Sequence, residues 1–202
     1  MDLSDFEMLD RLGYVRFDEI RTPERAERLL GLLGAFALGR SPILSSTRPA
    51  QLTLFEEAGY WDSSARTFCA ASVDPPRYVG LLAINVPPEQ PGLRVLDLYG
   101  KNARGITEEL KRTVLTAVDD NGVKRSLKAF ENKRGIRMFR WDEEFCKPWR
   151  EVSVPAPFFR VRADSVEWRP GCLVVLDNWR VAHSLLPISH DSTDVLWYGY
   201  AY

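Results

Sequence analysis

The side chains best suited to proton transfer in this chain are its two histidines, His183 and His190, because an imidazole titrates close to neutral pH. His183 falls near the end of the segment Trp168–Ser184, which reads WRPGCLVVLDNWRVAHS. There an Arg-Pro-Gly turn leads into an apolar strand, and an Asp-Asn bend precedes a second short strand. This position predicts an acid/base group or a metal ligand for His183, whereas the polar loop around His190 favours a solvated side chain.

Metal binding would need more donors than His183 supplies, because a transition metal commonly takes about three protein ligands. A site formed by both histidines and completed by Asp62, Asp191 or Cys69 is one arrangement that the sequence leaves open. The three cysteines of the chain show no Cys-x-x-Cys spacing. That pattern indicates free or buried thiols in a reducing compartment.

The composition argues against several classes of protein. Hydrophobic residues make up 45% and charged residues 27% of the 202 residues, with a net charge of −1, and we expect a single domain over residues 1–202. A chain so close to neutral offers no general surface for nucleic acid or membrane. Apolar runs are far shorter than the roughly 20 residues that cross a bilayer, and the acidic start is unlike a signal peptide. We therefore expect a cytoplasmic protein.

Helical patterns lie early in the chain, and strand patterns dominate its second half. Helices are predicted over Pro23–Phe36, where Thr22 would cap the first turn, and over Thr107–Val118, where apolar residues recur in phase. Pro, Gly, Asp and Asn separate the predicted strands, which are 13–20, Arg77–Val86, Leu93–Leu98, Lys124–Phe130, Ile136–Trp141, Phe158–Arg162, Cys172–Asp177, Trp179–His183 and Val195–Tyr202. This pattern predicts a mainly β fold with flanking helices (α+β), in which two sheets pack as a jelly roll and a ligand binds at the mouth.

The segment Pro170–Ser184 resembles the C-terminal part of the taurine dioxygenase / clavaminate synthase-like family of Fe(II)/2-oxoglutarate oxygenases. A second segment, Asp74–Leu98, resembles the strand pair that follows the first metal ligands of that family. The resemblance covers roughly two-thirds of the chain and implies a double-stranded β-helix (jelly-roll, cupin-like) core, with His183 at the position of the late iron ligand. The late motif is Pro-Gly-Asp, an apolar run, and Asp-Asn-x-Arg-x-x-His, and it is matched by Pro170, Gly171, Asp177, Asn178, Arg180 and His183.

The sequence departs from this family where iron and the co-substrate would bind. The family's early His-x-Asp/Glu pair should fall at Arg66-Thr67-Phe68, or at Cys69-Ala70-Ala71 in a shorter register, and neither contains a histidine or a carboxylate. The hydroxyl residue that holds 2-oxoglutarate corresponds to Arg94. The arginine of the last strand falls within Asp194–Tyr198, which has none. These departures predict no iron or 2-oxoglutarate cofactor, with His183 as the protein ligand if any metal is bound.

Together the resemblance and the departures favour a small-molecule enzyme that catalyses proton transfer, such as cyclisation, elimination or isomerisation. His183 would be the acid/base, and Arg66 and Arg94 would orient a small anionic or amino-acid-like substrate. Further substrate contacts are expected along the aromatic last strand and near the Asp-Asn bend, at Cys69, Asn178, Arg180, Trp197 and Tyr198.

Two other functions stay open at this point. One is an iron-dependent oxygenase that uses Fe(II) and 2-oxoglutarate with an atypical ligand set, and the other is a non-catalytic binding or scaffold homologue. The stretch between Gly100 and Val166 is short for the family. We therefore expect either an open mouth or a lid donated by a second subunit of a homodimer.

Overall fold

The computed structural model describes residues 3–38, 72–85, 90–118, 122–141, 146–148, 163–185 and 195–202. Its helices are α1 (Leu3–Leu12), α2 (Pro23–Gly31) and α3 (Arg104–Leu110), and a 3₁₀ turn at Lys101–Ala103 precedes α3. Its strands are β1 (Tyr14–Phe17), β2 (Phe36–Leu38), β3 (Tyr78–Asn85), β4 (Gln90–Asp97), β5 (Val114–Val118), β6 (Lys124–Lys128), β7 (Phe130–Lys133), β8 (Ile136–Phe139), β9 (Cys146–Pro148), β10 (Asp164–Trp168), β11 (Leu173–Asp177), β12 (Val181–Leu185) and β13 (Val195–Ala201). The predicted β-rich α+β class is confirmed. None of the helices described is long and apolar enough to cross a membrane.

Two antiparallel sheets supply the main core. The larger sheet has the strand order β1-β11-β3-β13-β2, and the smaller has the order β10-β4-β12. Because side chains alternate along each strand, one face of each sheet is free to meet the other. The cluster between them, called the inner core below, includes Val79, Leu81, Leu93, Val95, Val166, Trp168, Val174, Val181 and Tyr198.

The opposite faces of the two sheets are covered by different elements. On the larger sheet, Leu9 of α1 and Leu30 of α2 pack against Val175 and Trp197. On the smaller sheet, Leu96 packs with α3, the three-stranded sheet β6-β5-β9 and the β7–β8 hairpin. Residues 99–141, together with β9, are called the accessory module below. The fold is therefore layered, with the inner core between two outer cores.

The helix α2 lies close to the larger sheet because Gly80 has no side chain. A Cβ at Gly80 would lie 2.8 Å from Cδ1 of Leu30, which is fully buried. We expect Gly80→Ala to lower the free energy of unfolding by about 1–3 kcal/mol in urea denaturation. Gly105→Ala on α3 is the matched control, since a Cβ there meets nothing within 4 Å. It should be neutral or stabilise the protein by up to about 1 kcal/mol, and equal losses in both variants would contradict this packing.

The helix predicted over Thr107–Val118 is wrong in its second half. The helix α3 ends at Leu110, and β5 begins at Val114 after a turn. Leu110 and Leu115 nevertheless reach the same outer core. Their spacing arises from two elements that pack on one core, and the β-branched residues from Thr113 onward favour a strand.

Other boundaries also differ from those predicted. The helix α2 ends at Gly31, and Phe36 begins β2, which pairs with the end of β13. Thr22 occupies the N-cap position of α2 without a side-chain capping hydrogen bond. The strand predicted over Phe158–Arg162 lies outside the described residues. The short strands β9 and β10 were not predicted, because neither shows the alternation of a longer strand.

Candidate functional site

His183 lies on β12 and faces the inner core. Strand β12 pairs with β4, where His183 is opposite Val95, and both Val95 and Val181 belong to the inner core. Since residues two apart on a strand share a face, His183 points the same way as Val181. Its side chain is 1% exposed. The imidazole is therefore shielded from bulk water, on the face of the smaller sheet that carries Val95 and Val181.

The last strand brings two tyrosines to the same interior from the opposite sheet. Tyr198 belongs to the inner core and Tyr200 packs against it, with their ring centroids 5.5 Å apart. Trp197 alternates with them and packs on the outer side with the helices. Trp197 therefore lies on the opposite face of β13 from Tyr198, and Tyr198 faces the interior that His183 faces.

Arg94 lies on the other face of β4 from His183. It pairs with Ser184 and Ser165, and Leu96, two residues along the same face, belongs to the core beneath the accessory module. The structure therefore does not bring Arg94 and His183 to one face of the sheet, because the strand pleat sends the two side chains to opposite faces. Three other predicted positions, Arg66, Cys69 and His190, lie outside the described residues.

The Asp-Asn bend between β11 and β12 holds the chain segment that leads into β3. Asn178 donates from Nδ2 to the carbonyl of Pro76 at 2.9 Å and from its backbone to the carbonyl of Arg77 at 2.7 Å. The indole of Trp179 donates to the carbonyl of Pro75 at 3.1 Å. The buried amide of Asn178 therefore positions residues 75–77.

The guanidinium of Arg180 joins three parts of the fold. It donates from Nε and from one terminal nitrogen to the two carboxylate oxygens of Asp97, each at 2.8 Å. It also donates to the carbonyls of Asp10 and Arg11 at the C-terminal end of α1, where helix carbonyls lack intrahelical partners. With all three nitrogens bonded, Arg180 joins α1, β4 and the start of β12.

One carboxylate in the row of His183 was not predicted. Asp164 on β10 is opposite Val95, which is itself opposite His183, so that the three residues form a cross-strand row. Burial, followed by the charge of Asp164 and a hydrogen bond to it, raises the pKa of Tyr14 on β1. The sequence offered no signal for this row, because cross-strand register depends on the assembled sheet.

Solved structures resemble this chain in fold at low sequence identity. No protein-family model matches the sequence, and no curated protein matches it. A taurine dioxygenase from Burkholderia xenovorans matches at 18% identity with a TM-score of 0.69, over all of this chain and 82% of that one. The chain has the taurine dioxygenase fold. The resemblance seen in Pro170–Ser184 is thereby confirmed at the level of the fold.

Two further structures with this fold contain iron and small molecules. The non-heme iron oxygenase OrfP, in complex with Fe, succinate and (3S)-hydroxy-L-Arg, matches at 19% identity and a TM-score of 0.61, over 98% of this chain and 77% of that one. Asparagine oxygenase, in complex with Fe(II), 2S,3S-3-hydroxyasparagine and succinate, matches at 18% identity and a TM-score of 0.53. This match covers 71% of the present chain and 50% of the asparagine oxygenase chain. Iron oxygenases are thus among the proteins that share the taurine dioxygenase fold.

In this taurine dioxygenase fold, the Asp-Asn bend between β11 and β12 carries the buried carboxyl group of Asp177. Burial raises the pKa of Asp177 above its ordinary value of 3.8, and the opposing charge of Arg77 does not cancel that effect. The folded state therefore holds this proton more tightly than the unfolded chain. The contribution of Asp177 to stability is then greatest at low pH and falls as the pH rises from about 4 through the raised pKa.

We expect Asp177→Asn to remove that part of the pH dependence. The variant keeps a side-chain oxygen for the backbone N–H of Trp179, which lies 3.2 Å from Oδ1 in the native bend. The measurement is the free energy of unfolding of both proteins between about pH 4 and 7. As the pH rises, the free energy of unfolding of the wild type should fall steadily relative to that of the variant. A difference that stays constant across the range would contradict the raised pKa.

Proposed function

We propose that this chain is a small-molecule enzyme on the double-stranded β-helix of the taurine dioxygenase superfamily, and that His183 transfers protons there without a standard iron/2-oxoglutarate centre. The observation that carries this proposal is the place of His183. Its imidazole is buried on the inner face of the smaller sheet, which is where a molecule held between the two sheets would meet it.

The set of donors around His183 argues against the iron centre of the related oxygenases. Such a centre needs two histidines and one carboxylate on neighbouring positions. Among the described residues, no group of three or more His, Cys, Asp or Glu side chains could hold a metal ion. The two sequence registers for the early ligand pair, 66–68 and 69–71, contain neither histidine nor carboxylate. The donors of the described residues, and those of these two registers, therefore do not fit the usual iron centre.

The residues of β13 also argue against binding of 2-oxoglutarate as the co-substrate. A 2-oxoglutarate carboxylate is commonly held by a cationic fork. The chain has no lysine or arginine after Arg180, and the inner face of β13 presents Tyr198 and Tyr200. Phenol groups can hydrogen-bond a polar substrate but do not neutralise a dianion. The proposed site is therefore suited to a neutral or singly charged ligand.

We propose an amino-acid-like substrate, because the related OrfP and asparagine oxygenase structures hold (3S)-hydroxy-L-Arg and 2S,3S-3-hydroxyasparagine. A 3-hydroxy amino acid can lose water by a proton transfer alone. A base takes the Cα proton, the C–H electron pair forms a C=C bond, and the Cβ–O bond breaks as the hydroxyl leaves with a proton as water. Cyclisation and isomerisation likewise need no oxidant. Arg66 stays the proposed partner for the substrate carboxylate.

A second candidate is an iron-dependent oxygenase with an atypical ligand set. Two observations favour it. The related structures OrfP and asparagine oxygenase are iron oxygenases, and Asp164 lies in the same cross-strand row as His183. The backbones of His183 and Asp164 are separated by two strand spacings, each of about 4.8 Å. In this alternative His183 and Asp164 would be two of the residues that hold the metal, and the metal would supply oxidative chemistry with 2-oxoglutarate and oxygen.

Deuterium exchange separates the two candidates. The purified protein, treated with a chelator, is incubated in D₂O with a panel of amino acids and 3-hydroxy amino acids, without oxygen or 2-oxoglutarate. A proton-transfer enzyme incorporates deuterium at carbon or forms product under these conditions, and mass spectrometry detects either. Exchange or turnover that appears only with added Fe(II), 2-oxoglutarate and oxygen would favour the second candidate. Binding of a panel member without any exchange or turnover would favour a silent binding protein.

A further inference from the structure

The charge of this chain is divided unevenly along its length. Residues 101–141 contain eleven Lys and Arg against five Asp and Glu, a net charge of +6, although the whole chain has a net charge of −1. Residues 1–20 contain six Asp and Glu against two Arg, a net charge of −4. The near-neutral total therefore conceals a basic accessory module and an acidic N-terminal segment.

The basic charge is displayed on the outer face of the β5–β6 ladder. Val114 is opposite Lys128, and Val118 is opposite Lys124, while the alternate residues Leu115 and Leu127 belong to the outer core. Both lysines are exposed, and Val114 is 41% exposed. Neither lysine forms an ion pair with any residue that the structure describes. This basic ladder, Val114, Lys124 and Lys128, is a charged surface with an apolar residue beside it.

The acidic charge is displayed along the outer side of α1. Leu3, Glu7 and Asp10 recur at helical spacing and share one side of α1, and Phe6 lies between that side and Leu9, which is the residue of α1 that is buried. Leu3 is 76% exposed and Phe6 is 40% exposed. These two apolar side chains lie beside the carboxylates of Glu7 and Asp10. This acidic stripe, Leu3, Phe6, Glu7 and Asp10, is thus opposite in charge to the basic ladder and also carries exposed apolar side chains.

We propose that the acidic stripe of one chain binds the basic ladder of a second copy. Each chain carries both surfaces, and if the two contacts are made reciprocally the pair closes as a two-fold dimer. The exposed Leu3 and Phe6 would pack near Val114, and Glu7 and Asp10 would face Lys124 and Lys128. Complementary charge steers such an encounter and fixes its orientation, and the apolar contacts supply burial.

A reciprocal charge swap tests this interface. The molar mass is measured by analytical ultracentrifugation at low salt, across low to high micromolar protein concentrations. We expect reversible dimers that dissociate as salt screens the charges. Lys124→Glu/Lys128→Glu should weaken dimerisation by at least about tenfold, and Glu7→Lys/Asp10→Lys should do the same. The chain that carries all four changes should regain at least about half of the lost association energy, because the complementary charges are restored.

Two further variants test the apolar contacts and control for the change in net charge. Leu3→Ser/Phe6→Ser removes the apolar half of the stripe and should also weaken the dimer, with thermal unfolding monitored for every variant. Lys101→Glu/Arg104→Glu, which makes the same change in net charge elsewhere on the accessory module, should leave dimerisation intact. A chain that is monomeric at all concentrations, a swap that fails to restore association between folded variants, or equal weakening by the control would overturn the proposal.

Discussion

His183→Gln should lower the rate of deuterium exchange or product formation by about 10²–10⁴-fold, which is the usual contribution of a positioned general acid/base. The amide of glutamine has similar bulk and forms hydrogen bonds, but it does not exchange a proton near neutral pH. Because His183 is buried beside Val95 and Val181, the substitution removes proton transfer while preserving volume. The substrate affinity, measured separately by calorimetry, should change much less than the rate.

The other histidine of the chain is the control for this variant. His190→Gln removes an imidazole from a sequence context that favours a solvated loop, so its rate should stay within about twofold of the wild type. Thermal unfolding of both variants shows whether the fold is kept. A folded His183→Gln protein with the wild-type rate would show that the reactive group lies elsewhere.

Arg180→Ala should lower the free energy of unfolding by about 3–5 kcal/mol, as is usual when one partner of a largely buried ion pair is removed. The side chains of Arg180 and Asp97 are 12% and 27% exposed. The change would leave the carboxylate of Asp97 without its guanidinium partner and free the carbonyls at the end of α1. Urea denaturation measures the loss, and proteolysis near residue 12 should become faster as α1 detaches.

Arg180→Lys separates charge from geometry at the same position. Lysine keeps a cation near Asp97 but cannot make the two parallel hydrogen bonds of a guanidinium. We expect an intermediate loss, about half that of Arg180→Ala. A double-mutant cycle with Asp97→Asn should give a coupling energy above about 1 kcal/mol. Additive losses would show that Arg180 acts through α1 alone and that its pair with Asp97 contributes little.

Local sequence rules predicted the strand and turn that precede His183. The Arg-Pro-Gly turn places Gly171 at φ +78°, a conformation that glycine adopts readily. Every residue of β11 is buried, as its continuous apolar run indicated. The same local reasoning placed His183 on a short strand after a bend. These features depend on residues near one another in the chain, and for that reason the sequence alone could give them.

The faces of the strands could not be predicted in the same way. Arg94 and Trp197 each lie one residue from a position that faces the inner core, and a shift of one residue reverses the face of a side chain. Register is set by pairing with distant strands, such as β4 with β12. The row of Asp164, Val95 and His183 has the same origin. Site residues on strands are therefore identified only when the sheet itself is known.

The helix α3 and β5 illustrate a different limit. Apolar residues from Leu110 to Leu115 fit a helical repeat, yet the chain turns between them so that both reach one core. A short helix followed directly by a strand gives too few residues for either period to stand out. Tertiary packing on the outer face of the smaller sheet then decides the structure.

Iron binding at His183 tests the central claim most directly. The protein is equilibrated anaerobically with Fe(II) and 2-oxoglutarate, dialysed, and analysed for iron, with visible absorption recorded for the chelate of the two. We expect iron far below one equivalent per chain and no chelate absorption, in wild type and His183→Ala alike, because we propose that His183 lacks the partner ligands of a ferrous site. Near-stoichiometric iron with chelate absorption in the wild type, both lost in His183→Ala, would contradict it.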